Sequence, residues 1–392
     1  MLKKMEAQDK EKLFSLLKFA IWDMEEDVTV DWLLYEELKK HTIDLLPVRI
    51  LPELDMPDEL RQTWINSAYT RVAYNVNYRH AQEALSITVP YVVLKGTSSA
   101  KYYLYPEFRI MGDIDIITLR EDFDIAYQQF VELGYEIKKE NERETGFAKD
   151  RIVVELHRSF AKLNDLRYAE YLDNLIIDSI DSSHELPDRI NGLVLLEHIS
   201  QHLVNGLGLR QIIDWMMFVN KCLSDDEWLE FSILAKNIGL EKLAVTVTRM
   251  CEIYLGLSAH AWCKSADESL CHQLMDYVLD CGNFGIKKES GWSYKENVFI
   301  YYKKPMTLFK LLQKRGVENW HASQRIPVLK PLAWFYQGLQ YLKKGLSRRY
   351  SFGTLKTDYV DAQKRQKMFD ALGVRQNSKG LVVYRNGKYV KE

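Results

Sequence analysis

Asp113 and Asp115 stand two apart in the run DIDIIT. Along an extended strand such residues share one face, so their carboxylates lie side by side while Ile114 and Ile116 bury on the other face. Adjacent carboxylates repel, and a divalent cation relieves the repulsion; hard oxygen donors suit magnesium, or manganese. The run RIVVELHRSF repeats the arrangement, with Val153, Glu155 and His157 on one face and Val154 and Leu156 on the other. A carboxylate among apolar residues is costly unless it is paired or bound to metal. Beside the aspartates, Glu155 completes a three-carboxylate cluster. Such a cluster can hold two cations about 3.5 to 4 Å apart, which clamp the attacking and leaving oxygens of an in-line phosphoryl displacement. Asp113, Asp115 and Glu155 are therefore the candidate catalytic and metal-binding residues.

The segment upstream offers the other half of such a site. LKGTSS places a glycine and three hydroxyls between an apolar strand-like run and a helical one. Glycine lets a backbone approach a phosphate closely, and a helix start attracts negative charge. Lys95, Gly96, Thr97 and Ser98 are the candidate nucleotide contacts, with Arg109 as a second cation for phosphate oxygens. Lys95 and Arg109 would serve equally as counter-ions that balance the acidic cluster. His157 shares the face of Glu155 and reads either as a contact of the site or as an ordinary half-buried histidine.

These residues need a sheet to hold them. ITVPYVVLKG is rich in β-branched and aromatic residues and predicts a strand, followed by a helix start at TSSAKYYLY, a loop at PEFRIMG and a second strand at DIDIIT. EDFDIAYQQFVELG predicts a helix closed by Gly134. YEIKKE and RIVVELHRSF predict two further strands, with a polar connection around 141–150. Upstream, LFSLLKFAIW and VDWLLYEELKK have helical spacing, and a long polar-rich helix follows Pro57. From residue 190 the periodicity is helical again. The tail GLVVYRNGKYV carries the Asn-Gly signal of a β-hairpin. The expected fold is α+β: a small mixed-sheet core flanked by N-terminal helices and a C-terminal helical domain. The expected divisions are 1–86 (N-terminal helices), 87–188 (α/β core), 189–375 (helical domain) and 376–392 (tail).

The run LKGTSSAKYYLYPEFRIMGDIDIIT resembles the polymerase-β-like nucleotidyltransferase superfamily, in which a glycine-serine turn precedes an Asp-x-Asp strand and a third acidic residue lies on a later strand. It looks most like a bacterial branch described as uncharacterised nucleotidyltransferases, often found with polysaccharide biosynthesis genes. That branch carries a Lys-Gly turn, a Tyr-Pro segment, an Arg before Gly-Asp-Ile-Asp and an acidic-Leu-His strand. The matching residues here are Lys95-Gly96, Tyr105-Pro106, Arg109, Gly112 to Asp115, and Glu155-Leu156-His157. The motif-bearing match covers roughly residues 87–160. Thr97 departs from the superfamily's usual second Gly or Ser, and the span from the turn to Asp113 is slightly long. The resemblance implies a nucleotidyltransferase core and magnesium-dependent transfer of a nucleoside monophosphate from a nucleoside triphosphate, ATP among them, to an acceptor hydroxyl. A degenerate binding module, or other phosphoryl transfer of a toxin-like kind on the same scaffold, are the competing readings.

In the helical part, His198 and His202 are four apart, the spacing of two ligands on one helix face. HISQH lacks the glutamate of a zinc-hydrolase helix, which argues against zinc. The resemblance offers His202, Arg210 and Asp214 as contributions to the cleft. Arg210 and Asp214 also read as an i,i+4 ion pair within the helical domain. NGLGLR places Gly206 and Gly208 where a turn would aim the next helix.

Composition bounds the rest. The 392 residues carry a formal net charge of -2, so no global positive field exists to hold a long nucleic acid. Five scattered cysteines without a CxxC pair argue against a disulfide framework or structural zinc and for free thiols in the cytoplasm. Neither a signal-peptide pattern nor a transmembrane run is expected. The basic aromatic stretch near 332–350 reads as a packed helix with a solvated edge before it reads as a membrane or polymer contact. Nothing in the sequence names the acceptor or the oligomeric state.

Overall fold

The structure, a computed structural model, describes residues 6–283 apart from 142, 164 and 182, parts of 309–346, residues 355–374, and residues 382–385 and 388–391. It falls into two compact units, residues 1–287 with 382–391 and residues 288–381. The fold is α+β, as expected.

The first unit opens with α1 (Ala7–Trp22), α2 (Trp32–Lys40) and α3 (Asp58–Glu83). Asp31 caps α2 by accepting from the Leu34 amide at 2.8 Å, and Pro57 precedes α3, where its missing N–H costs nothing. The sheet follows: β1 (Tyr91–Leu94), the short helix α4 (Gly96–Ala100), β2 (Ile114–Thr118), α5 (Phe123–Glu132), β3 (Glu136–Glu140), β4 (Glu144–Lys149) and β5 (Ile152–His157). Strand order is β1-β2-β5-β4-β3. The β2–β5 pair is parallel and the others are antiparallel.

One side of the sheet is apolar. Ile114, Ile116, Val154, Leu156 and Phe147 pack with Phe123, Ala126 and Phe130 of α5, and with Tyr78 of α3. The outer edge of β1 is covered as well. The Val93 amide donates to the His184 carbonyl at 3.0 Å, and the His184 ring meets the Tyr91 carbonyl at 3.0 Å. That pairing removes an open edge.

Two expectations change. The polar connection around 141–150 contains the strand β4, buried over its first four residues. Glu144, Gly146 and Lys149 read as loop because strand signals assume a polar side that meets water. Here Glu144 instead meets partners within the protein. Asp113 lies one residue ahead of β2 and is exposed, while Asp115 within the strand is buried.

After α6 (Leu166–Ile177) come α7 (Asp188–Asn205), α8 (Leu209–Cys222), α9 (Asp225–Asn237), α10 (Glu241–Leu255) and α11 (Glu268–Cys281). Gly206, at φ +115, makes the turn between α7 and α8. All five cysteines are free. β6 (Val382–Arg385) and β7 (Lys388–Lys391) pair antiparallel; the Asn-Gly between them lies outside the described residues.

In the second unit, helices Ala333–Leu346 and Leu355–Ala371 are described, with Ala333 and Phe369 buried. Trp334, Phe335 and Leu339 of the basic aromatic stretch are exposed, and residues 347–350 lie outside the described residues. Among the described residues no helix is long and apolar enough to cross a membrane.

Candidate active site

β1 runs out at Leu94, which lies opposite Asp115, and Asp115 lies opposite Glu155 on the parallel neighbour. That register puts the two carboxylates on one face of the sheet. The chain turns at Lys95 and Gly96, both with left-handed backbones (φ +54 and +46). Such a conformation costs a lysine about 1–3 kcal/mol. The ion pair it permits offsets that cost: Lys95 Nζ lies 2.8 Å from Asp115 Oδ1. A side chain at residue 96 would run into Tyr78, whose hydroxyl occupies the space a Cβ would need, so glycine is required twice over.

His157 lies on the same face. Its Nε2 is 2.9 Å from Asp115 Oδ1 and 3.8 Å from Glu155 Oε2, and its Nδ1 is 3.6 Å from Glu144 Oε2. One ligand atom each from Asp115, Glu155 and His157 fall within 4.8 Å of one another. Glu144 also meets Lys139 at 2.5 Å and Lys162 at 3.9 Å.

The electrostatics divide these carboxyls. Burial would raise the Asp115 carboxyl, but Lys95 and His157 overcome it and hold Asp115 well below the usual range. The charge of Asp115, then desolvation, pushes Asp113 up. Desolvation followed by the charges of Asp113, Asp115 and Glu144 pushes Glu155 up. Burial pulls the Lys95 ammonium down, yet the carboxylates around it outweigh that and leave it raised. The site therefore keeps one firmly ionised carboxylate, Asp115, beside two whose carboxyls are raised, Asp113 mainly by the neighbouring charge and Glu155 mainly by burial. Among the described residues, the group with ligand atoms close enough to share a divalent cation is Asp115, Glu155 and His157; Asp113 is not part of it.

Helix α3 supplies residues that motif reading missed. Asn75 is buried; its amide nitrogen donates to the Glu107 and Arg109 carbonyls at 2.8 and 2.9 Å, and its oxygen accepts from the Met111 amide at 3.0 Å. Tyr74 donates to the Gly112 carbonyl at 2.8 Å and Tyr78 to the Asp113 carbonyl at 3.1 Å. Gln82 accepts from the Thr97 hydroxyl at 2.7 Å. Positions 74, 75, 78 and 82 form a polar stripe at helical spacing, the one signal in this long helix that could have drawn attention to it.

Other expected contacts are placed differently. The Ser98 hydroxyl is buried and donates to the Val93 carbonyl at 2.7 Å. Arg109 is buried, and its Nε and terminal nitrogen each donate to an oxygen of Asp214 at 2.7 Å. Tyr103 donates to the same carboxylate at 2.7 Å. Asp214 thus pairs with Arg109 across the fold, in place of the expected i,i+4 pair with Arg210. The reason is geometric: Arg109 offers two parallel N–H groups to a buried carboxylate. Arg210 is half-buried, donates to the Ile110 carbonyl at 3.4 Å, and has its Nε buried with no hydrogen-bond partner. His198 and His202 face each other, Nε2 to Nε2, at 3.0 Å. Burial holds both rings below the ordinary histidine range, His202 at about 3.

The loop after β5 is fastened from three sides. Arg143 donates to the carbonyls of Phe160 and Ala161, Asp173 accepts from their amides, and Glu197 accepts from the Lys162 amide at 2.6 Å.

The site is thus a mixed sheet with carboxylates on adjacent parallel strands and a lysine-glycine turn laid against them. The sequence pattern of the uncharacterised nucleotidyltransferase family matches residues 21–256, more than half of the chain. The chain belongs to that family, and nucleotidyl transfer is the general activity the match supports. No curated protein and no solved structure matches the chain significantly.

Proposed function

We propose that this protein transfers a nucleoside monophosphate from a nucleoside triphosphate to an acceptor hydroxyl. Asp113, Asp115 and Glu155 would hold divalent cations, magnesium or manganese, which when bound neutralise the triphosphate and polarise the reacting phosphorus. Lys95, fixed by its pair with Asp115, would meet a phosphate oxygen, and the Gly96 backbone would border the phosphates. Glu155 would complete the second metal site or, in place of that, take the proton of the acceptor hydroxyl. Thr97 and Ser98 contribute to this reading through their backbone, since their hydroxyls are engaged inside the protein. Arg109 and Asp214 act by holding the Ile110–Asp113 segment in place. Arg210 and His202, which approach from the helical side, are the candidates to contact substrate there.

The observation that carries this reading is the register of Asp115 against Glu155, with Lys95 on Asp115, in a chain of this family. The test offers each of the four nucleoside triphosphates with magnesium to sugar hydroxyls and to metabolites of a cell extract. Label from the α-phosphate should enter an acceptor, with pyrophosphate released. Transfer of the γ-phosphate instead, or no turnover together with tight nucleotide binding, would replace it with one of the competing readings.

A further inference from the structure

We propose that the segment from Ile326 through the helix Ala333–Leu346 docks in the plane of an anionic phospholipid membrane. The proposal concerns where the protein works and stands apart from the nucleotidyl-transfer reading; neither needs the other.

The sequence predicts a packed helix with a solvated basic edge, but the helix Ala333–Leu346 turns apolar side chains outward. Its buried positions include Ala333 and Gln337, one turn apart, the first small and the second polar, while Phe335 is 53% and Leu339 49% exposed. Phe335 and Leu339 are also one turn apart, on the opposite side of the helix. In the sequence the same spacing continues at Leu342 and Leu346. In the turn Pro327–Leu332 just upstream, Val328 is 82% exposed, and Ile326 and Leu332 are exposed as well. Trp334 joins two exposed phenyl rings, with Phe309 at 5.5 Å and Phe335 at 5.8 Å between centroids. Single exposed apolar side chains are ordinary. A run of them along one helix face and the turn that leads into it leaves apolar area in water that docking would remove.

The charge of this stretch indicates what covers the face. Between Glu318 and Asp358 the sequence has no acidic residue and seven basic ones, from Arg325 to Lys356, in a chain whose net charge is -2. A second copy docked face to face would set like charge against like charge. A nucleic acid would answer the charge but offers aliphatic side chains such as Val328 and Leu339 no apolar interior. An anionic bilayer answers both. Lipid phosphates meet the basic residues, the apolar face enters the boundary between headgroups and acyl chains, and aromatic rings are favoured at that depth. A helix lying in the interface needs no membrane-spanning length, and no described helix has one.

The test mixes the full-length protein with vesicles of phosphatidylcholine, with or without phosphatidylglycerol, and reads cosedimentation and tryptophan fluorescence. At low ionic strength the protein should partition onto the anionic vesicles at least about tenfold more strongly than onto the neutral ones, and added salt should erase that preference. Brominated acyl chains should quench tryptophan emission, and Trp334→Phe should remove most of the quenching. Phe335→Ser with Leu339→Ser should lower partitioning by at least about tenfold and leave the melting temperature unchanged, because both side chains are exposed. Lys330→Glu, also at an exposed position, should weaken binding to anionic vesicles by about fivefold or more. Failure of the wild-type protein to bind anionic vesicles overturns the proposal and needs no variant to fold. Equal binding to neutral and anionic vesicles, or binding that the double serine variant retains, also overturns it. Self-association without vesicle binding, lost in the double serine variant, would give the face to a second copy. Binding of a single-stranded oligonucleotide in place of vesicles would give it to nucleic acid. Either result replaces the proposal, and none of these outcomes bears on nucleotidyl transfer, which its own assay reads.

Discussion

At the residue scale, the three acids are not equivalent. Asp115 is the buried partner of Lys95 and His157; removing its charge leaves a buried ammonium unpaired. Asp115→Asn should therefore cost about 3 kcal/mol, read by urea unfolding in chelator. Glu155 is the opposite case. Its folded carboxyl is raised, so its contribution to stability is full below the ordinary carboxylate range and is lost as pH rises through the raised value. In chelator at neutral pH, Glu155→Gln should melt at or above the wild-type temperature. That difference should close as pH falls through the raised value, where Glu155 itself takes up a proton. A Glu155→Gln variant that melts well below wild type at neutral pH would mean that Glu155 is favourably paired there. The proposed cation would need both raised carboxyls ionised, so metal affinity should fall as pH falls through their range. For Asp113 and Glu155 that fall begins at a higher pH than for an ordinary carboxylate.

At the element scale, helix α3 sets the position of the loop that delivers Asp113. Asn75 makes three hydrogen bonds to that loop, and Asn75→Ala leaves buried backbone groups without partners. A loss of about 2–3 kcal/mol is expected, together with a smaller rise in melting temperature on adding Mg2+ and nucleotide. A stability loss with the full metal-dependent rise would show that the loop finds its place without Asn75. The turn offers a sharper test. Gly96→Ala forces a Cβ against the Tyr78 hydroxyl at a left-handed position and should cost more than about 1 kcal/mol. Tyr78→Phe alone loses one hydrogen bond, about 1 kcal/mol. Because the hydroxyl is the clashing atom, the double variant should be milder than the sum by roughly 1 kcal/mol. Strict additivity would place the strain in the backbone alone.

For the molecule as a whole, the joint between the sheet and the helices after residue 188 is the buried Arg109–Asp214–Tyr103 node. Asp214→Ala strands a buried guanidinium and should cost about 3–5 kcal/mol. Arg210→Ala removes one long contact to a carbonyl and should cost far less. It should still lower turnover per folded molecule, because Arg210 brings a cation toward Asp113 from the helical side. Equal melting losses in the two variants, with activity per folded molecule intact, would return Arg210 to a purely structural role.

Local order decided much of this protein. The i,i+2 spacing of Asp113 and Asp115, the alternation around Glu155 and the glycine after Lys95 are properties of a few consecutive residues, and they were enough to mark the candidate carboxylates and the turn. Helical and strand periods drew most elements for the same reason. Tertiary structure alone decided the partners. Asp214 sits four residues from Arg210 in the chain, yet it is taken by Arg109 more than a hundred residues away, because a buried carboxylate is best satisfied by a bidentate guanidinium wherever the fold brings one. β4 was invisible because its polar Glu144 faces His157 and lysines rather than water. The stripe on α3 gained meaning only when the helix was laid along the loop it holds.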